Sequence, residues 1–469
     1  MTEHLSPLDA TFLELEQADP TAHMHIGAAL VFDPLPEGGA PSLARVAEHL
    51  DRRLDALPRY RKRLSDPRTG GLRWPSWEPD PEFDVRHHLH RAALPAPGGD
   101  DELLEWLGDY WSHRLDRLRP LWDAVLVEGL SDGRWALCTK THHCLVDGIG
   151  SLDAGYVLLD PSPEPVDPAA WLPPAVPASD GQGGLPHTVL AAARAGAGLA
   201  LHPDRMVDVL RRSRALAELL VRDEVIAAPG SSLNRPIGSE RRFEVVRVPL
   251  ARLKEIKSAL GGTVNDVALA AVSGGLRRLL IERGEEPPRQ GLRAMVPVNI
   301  RQAGEKLALG NRITSLFVHL PVAIGDSFQR YQATLEEAES LKHGTQALGG
   351  ETLLEITAAA PPLVHAVLAR SLFASRLFNV TVTNVPGPQL PLYAFGSRLR
   401  EVFPLVPIAA EHALGIAILS YDGNVVFGIN ADRDTLPDIQ VLADGIEDSL
   451  DTMLDLAGTA VSLVARMPT

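Results

Sequence analysis

Cysteine is almost absent from this 469-residue chain, which has two, Cys138 and Cys144. Two thiols cannot staple a chain of this size or fill a four-ligand metal site alone, and they suit a reducing, cytoplasmic setting. An excess of positive charge is also missing. Lys and Arg number 45 against 60 Asp and Glu, a net charge of −15, which argues against nucleic acid as a main partner. An anionic ligand then needs a local basic patch. No run reaches the ~18 uninterrupted apolar residues of a membrane span. The amino terminus, MTEHLSPLDATFLELEQ, is polar and acidic, unlike a secretory signal. These absences leave a soluble or peripheral protein. What is present is ordinary for a folded chain, 45% hydrophobic and 22% charged, and the length favours two domains over one core.

Short strand-like and helical runs alternate along the chain. Residues 26–32 (IGAALVF) read as a strand and 43–54 as a helix, and 122–127 and 135–140 form a hairpin pattern around Ser131-Asp132-Gly133. Proline, glycine and small polar residues dominate 160–186, a linker or surface loop. Residues 187–225 are strongly helical. There Arg205, Arg211, Arg212, Arg214 and Arg222 make a basic amphipathic stretch suited either to packing between domains or to a membrane surface.

A second unit opens with a strand at 243–250, helices at 250–260 and 264–282, and strands at 295–301 and 313–321. Helices at 328–343 and 352–378, strands at 379–385, 412–421 and 424–432, and a closing helix at 438–457 follow. The expected architecture is α/β with mixed sheets flanked by helices. Domains at 1–160 and 241–469 are joined by a connector over 161–240, with the active site in a channel between them.

The strongest chemical signal is Thr141-His142-His143-Cys144-Leu145-Val146-Asp147-Gly148, directly after the 135–140 strand. Histidine is the natural general base near neutral pH, because its unperturbed pKa is about 6.5. A carboxylate four residues on suits a loop returning beneath the imidazole, and Gly148 permits backbone that other residues resist. Three other readings compete. His142, His143 and Asp147 offer metal-ligand chemistry, but neighbours on an extended chain point to opposite faces. Cys144 offers a thiol nucleophile, but sits beside its would-be base. A buried polar corner with no chemistry is the third.

HHCLVDG resembles the HHxxxDG signature of the CoA-dependent acyltransferase superfamily, which includes chloramphenicol acetyltransferase and peptide-synthetase condensation domains. Nearly the whole chain is similar to the bacterial wax ester synthase/diacylglycerol acyltransferase family. The similar stretches are LSPLDATFLELE (5–16), HMHIGAALVFD (23–33), RPLWDAVLVEGL (119–130) and TVNDVALAAVSGGLRRLL (263–280). MVPVNIR (295–301), LGNRITSLFVHLP (309–321), NVTVTNVPGP (379–388) and SYDGNVVFGINADRDTLPD (420–438) continue it in the right order.

That resemblance implies two chloramphenicol-acetyltransferase-like domains and transfer of a fatty acyl group from acyl-CoA to an alcohol, without cofactor or metal. The acceptor is diacylglycerol, a long-chain fatty alcohol or both, drawn from the inner membrane or a lipid-droplet surface by a peripherally bound protein. It makes His143 the general base, His142 a support for the corner, Asp147 a group that orients the loop through a cationic or backbone partner, with Arg301 as one candidate, and Gly148 a backbone requirement. Asn265 and Asp266 form the family's Asn-Asp pair at a helix start, where capping is the plain explanation and oxyanion stabilisation the chemical one. Thr383 and Asn384 are weaker candidates for lining the channel.

Other clusters weigh less. The basic run at 57–63 is read as a solvated face before a CoA-phosphate site, and His87, His88 and His90 as no site. His23 and His25 read as structural histidines at a strand entrance. For docking on lipid, 205–222 and 353–378 are the candidate segments. The rival functions are acyl transfer to a polyketide or peptide hydroxyl, and a lipid-binding relative without turnover.

Overall fold

The computed structural model describes residues 3–65, 75–146, 155, 157–167, 227–299, 313–343, 377–408 and 410–465. The first half runs β1 (Glu3–His4), α1 (Pro7–Ala18), β2 (His25–Phe32), α2 (Leu43–Arg53), β3 (Lys62–Leu64), β4 (Ser76–Pro79) and β5 (Leu89–Ala93). Helix α3 (Asp100–Ser112) and strands β6 (Trp122–Glu128) and β7 (Trp135–His142) complete it. The second half runs β8 (Arg241–Pro249), α4 (Leu250–Leu260), α5 (Val264–Glu282), β9 (Leu292–Asn299), β10 (Ile313–Leu320) and α6 (Ser327–His343). It ends with β11 (Val380–Pro386), β12 (Tyr393–Ala394), β13 (Ser397–Leu405), β14 (Leu414–Tyr421), β15 (Asn424–Asp432) and α7 (Ile439–Ala465).

Two six-stranded mixed sheets dominate, in the orders β12-β13-β2-β7-β6-β5 and β10-β9-β11-β14-β15-β8, beside a small β1-β4-β3 sheet. In the first large sheet β5 runs parallel to β6; in the second β11 runs parallel to both β9 and β14. One departure from chain order matters. Strand β13 pairs antiparallel with β2, Phe403 opposite Ala29, so the second half lends two strands to the first half's sheet. Local patterning carries no trace of this exchange, because strand period specifies a face and not a distant partner. Where β13 crosses β15 the backbones nearly touch. A Cβ on Gly428 would lie 2.1 Å from the Pro404 carbonyl oxygen, so that crossing requires glycine.

Each sheet buries its apolar face. Helices α4, α5 and α7 cover the second sheet around Val267, Leu276, Ile416, Phe427 and Leu442. The first sheet packs α2 on one side, through Val46 and Leu50, and α3 on the other, through Leu107 and Trp111. The latter core also takes Phe243 and Val426 from the second half, which joins the two sheets. Helix α7 outlasts its expected end at 457 and runs on to Ala465 through Gly458, at a propensity cost of about 1 kcal/mol. The expected helical stretch at 187–225 lies outside the described residues, and so does 352–376.

Candidate active site

A cavity of about 810 Å³ lies between the halves. The first half lines it with Ile26, Ala28 and Leu30 of β2, with Leu137, Thr139 and Thr141 of β7, and with Leu50 and Leu54. The second half contributes Leu253, Val264, Asn265 and Ala268 from α4 and α5, and Thr381 and Thr383 from β11. Its walls are mostly hydrocarbon. A long acyl chain is the natural tenant of such a space.

Alternation along β7 decides which histidine reaches it. Ala136 and Cys138 face the α3 side while Leu137, Thr139 and Thr141 face the cavity. The chain turns immediately after the strand. His143 joins the cavity lining, whereas His142 is fully buried behind it. The backbone N–H of Cys144 donates to His142 Nδ1 at 3.1 Å, leaving Nε2 as the proton-bearing nitrogen, 3.3 Å from Glu16 Oε2. Glu16 also faces His25 Nε2 at 3.4 Å and Arg114 at 3.5 Å.

Burial alone pushes the Glu16 carboxyl upward. The imidazoles of His142 and His25 outweigh it, and the group titrates well below the ordinary carboxylate range. Burial drives His25 down to about 4, with Glu16 opposing, and His23 down to about 3, with Arg241 and His25 adding to the effect. Both are therefore neutral at pH 7.

The corner has further braces. The His143 N–H donates to the Met24 carbonyl at 2.8 Å, and the Phe12 ring stacks on the His143 imidazole at 3.9 Å and 11°. Arg59 donates to the Leu145 carbonyl at 3.1 Å and pairs with Glu3. This corrects the solvated-face reading of 57–63: Arg59 is buried, Arg61 pairs with Asp51 and Asp55, and Lys62 pairs with Glu3. Neither Glu16, Phe12 nor Arg59 stood out as a site residue in the sequence. The available signal was Glu16 on the apolar stripe of α1, seven residues after the equally buried Asp9.

Cys144 is wholly buried, and burial followed by Asp9 and Glu16 lifts its thiol well above the usual range, which opposes a thiolate nucleophile. His88 stacks on Trp122 and bonds its carbonyl at 2.9 Å. Among the described residues no group of three or more His, Cys, Asp or Glu side chains is placed to hold a metal ion.

In the second half Asn265 lies in the first turn of α5 and lines the cavity, with Asn384 Nδ2 donating to its Oδ1 at 2.8 Å. Asp266 does not join it. Its carboxylate turns back to accept from the Thr263 N–H and Oγ1, each at 2.8 Å, completing a capping box. The expectation of a catalytic Asp266 is thereby corrected: neighbours on a helix point about a quarter-turn apart, and only the earlier one faces the cavity. Thr383 and Asn384 both reach the lining. Asp147, Gly148 and Arg301 lie outside the described residues.

Two mixed sheets meeting over an apolar cavity that a histidine corner enters define the two-domain, chloramphenicol-acetyltransferase-like class. The starter condensation domain of rhizomide synthetase shares this fold, with a TM-score of 0.60 at 14% identity over 97% of this chain and 94% of that one. A wax ester synthase/diacylglycerol acyltransferase from Marinobacter aquaeolei VT8 superposes with a TM-score of 0.69 at 29% identity, over 97% of this chain and 100% of that one. Two relatives from Mycobacterium tuberculosis, each named a probable diacylglycerol O-acyltransferase, match nearly end to end. One is 36% identical over 461 residues, 95% of both chains; the other is 35% identical over 464 residues, 97% of this chain and 99% of the relative. Residues 5–268 match the wax ester synthase/diacylglycerol acyltransferase catalytic domain and 309–454 the C-terminal domain. The chain belongs to the wax ester synthase/diacylglycerol acyltransferase family, and it is an acyltransferase.

Proposed function

We propose that this protein esterifies diacylglycerol, a long-chain fatty alcohol or both, with the acyl group of a fatty acyl-CoA and with His143 as general base. The observation that carries the reading is the shared cavity, where the His143 corner and Asn265 both border one long apolar space. In this scheme His143 takes the acceptor's hydroxyl proton while the freed oxygen attacks the thioester carbonyl carbon. The carbonyl electron pair moves onto oxygen, where the Asn265 carboxamide stabilises the charge. Collapse of the tetrahedral intermediate breaks the C–S bond, and the imidazolium protonates the departing CoA thiolate. No acyl-enzyme forms, acyl-CoA is a substrate, and neither metal nor cofactor takes part.

His142 supports the corner through the Cys144 N–H and Glu16. Asp147 orients the loop through a cationic or backbone partner, for which Arg301 is a candidate, and Gly148 meets a backbone requirement. Since both acceptors reside in lipid, the protein works from the cytoplasmic side, peripherally attached to membrane or droplet. Among the described residues no helix is long and apolar enough to cross a membrane.

The test is free-thiol release from palmitoyl-CoA with dioleoylglycerol, hexadecanol or no acceptor. Release is expected to need an acceptor and to fall about 10²–10⁴-fold in His143→Ala, with the protein still folded. Full activity in that variant would overturn the role of His143. Silence of the wild type toward both acceptors would favour a polyketide or peptide hydroxyl, or a lipid-binding relative.

A further inference from the structure

The face of β11 that carries Asn384 is otherwise a core face. Val380 and Val382 precede it at strand spacing and are 0% and 1% exposed, so the pattern calls for a third apolar residue where the carboxamide stands. Asn384 itself is half-buried at the cavity wall, and its partner there is the Asn265 side chain. Asn265 owes nothing to helix capping, because the Thr263–Asp266 box already serves the start of α5. A carboxamide has one accepting end and one donating end. With its Oδ1 engaged by Asn384 Nδ2 at 2.8 Å, the NH2 of Asn265 is turned away from Asn384, on a residue that lines the cavity. The positive end of the 19-residue α5 lies beside it.

We propose that Asn384 is a positioning residue that sets the rotation of the Asn265 carboxamide, so that Asn265 presents a donor and not an acceptor to the thioester oxygen. The proposal rests on the acyl-transfer reading of the cavity. Without Asn384 the carboxamide can rotate, and half of its orientations offer an oxygen to a developing oxyanion, which repels it.

Thiol release from palmitoyl-CoA, with whichever acceptor the wild type prefers, tests this in five variants. Asn265→Ala is expected to lower kcat about 10²-fold with KM for palmitoyl-CoA little changed, the usual cost of one oxyanion donor. Asn265→Asp keeps an acceptor for Asn384 but puts a carboxylate oxygen where the donor stood, so it should lower kcat at least as far as Asn265→Ala while melting like the wild type. Asn384→Ala should lower kcat about 10-fold. Asn384→Asp should lower it further, because a carboxylate accepts only and draws the Asn265 NH2 to itself. The Asn265→Ala/Asn384→Ala double variant should be no slower than Asn265→Ala alone.

Additive losses in the double variant would reduce Asn384 to a packing role and overturn the proposal. So would an Asn384→Asp enzyme faster than Asn384→Ala, or an Asn265→Ala enzyme at the wild-type rate. If His143→Ala is silent in that last case, the acyl-transfer reading survives while the Asn384 proposal falls. If Asn384→Ala does not fold, the near-isosteric Asn384→Asp and Asn265→Asp still decide.

Discussion

The two sides of the cavity hold their polar groups by different means. On the first-half side, the His143 corner leans on buried ionisable groups, with Glu16, only 2% exposed, facing His142, His25 and Arg114 at 3.3–3.5 Å. On the second-half side, Asn265 is held by neutral devices, a helix start and one amide-to-amide bond. The difference is instructive because a buried charge is costly once its partners are gone, whereas a lost neutral bond can be replaced by water or by rotation. The first side should therefore fail as a unit, in stability and rate together. The second should lose rate while keeping its fold.

Removing the hub is the largest expected breach. Glu16→Ala leaves the His142 donor without its buried acceptor, while Arg114 keeps the Glu16 backbone carbonyl, and should cost about 1–3 kcal/mol in urea unfolding along with most of the thiol release. A Glu16→Ala protein with wild-type stability and rate would erase the contrast drawn above.

Acid should separate the sides next. His23 and His25 have native pKa values near 3 and 4 against about 6.5 when unfolded, so the unfolded chain binds more protons between those limits. Stability is full above about pH 6.5 and falls as pH drops toward 4. Glu16, also depressed in the native state, extends the loss below its ordinary carboxylate value. Melting temperature should fall between pH 7 and pH 5, less steeply in His23→Asn. A flat profile would contradict neutral burial of these histidines.

The smallest effect sharpens the picture at the base itself. Phe12→Leu removes the ring stacked on His143 while keeping apolar bulk, and should cost about 1 kcal/mol in stability and a few-fold in kcat. An unchanged kcat would make the stack mere packing.

Much of this arrangement was legible in the residues. The 264–282 and 424–432 elements occur with the bounds their patterns suggest, because caps and turns there are local. The histidine pair at a strand end, and the opposite facing of its two members, also follow from local geometry. Glu16 was not legible as a partner of His142, since the two lie more than a hundred residues apart along the chain and a glutamate on a short helix looks like any other. Asp266 misled for the reverse reason: its neighbour Asn265 carries the cavity position, and one residue along a helix changes what a side chain faces.

By itself the sequence determined the α/β texture and the pair of histidines, which depend on periodicity and short-range spacing, and the family through the motifs it shares. Only the tertiary structure decided that β13 crosses into the first sheet, that Glu16 holds His142, and that Asn384 meets Asn265. These are pairings between segments far apart in the chain. They are chosen by which buried donors and acceptors can satisfy one another once the sheets close, and no local pattern encodes that choice.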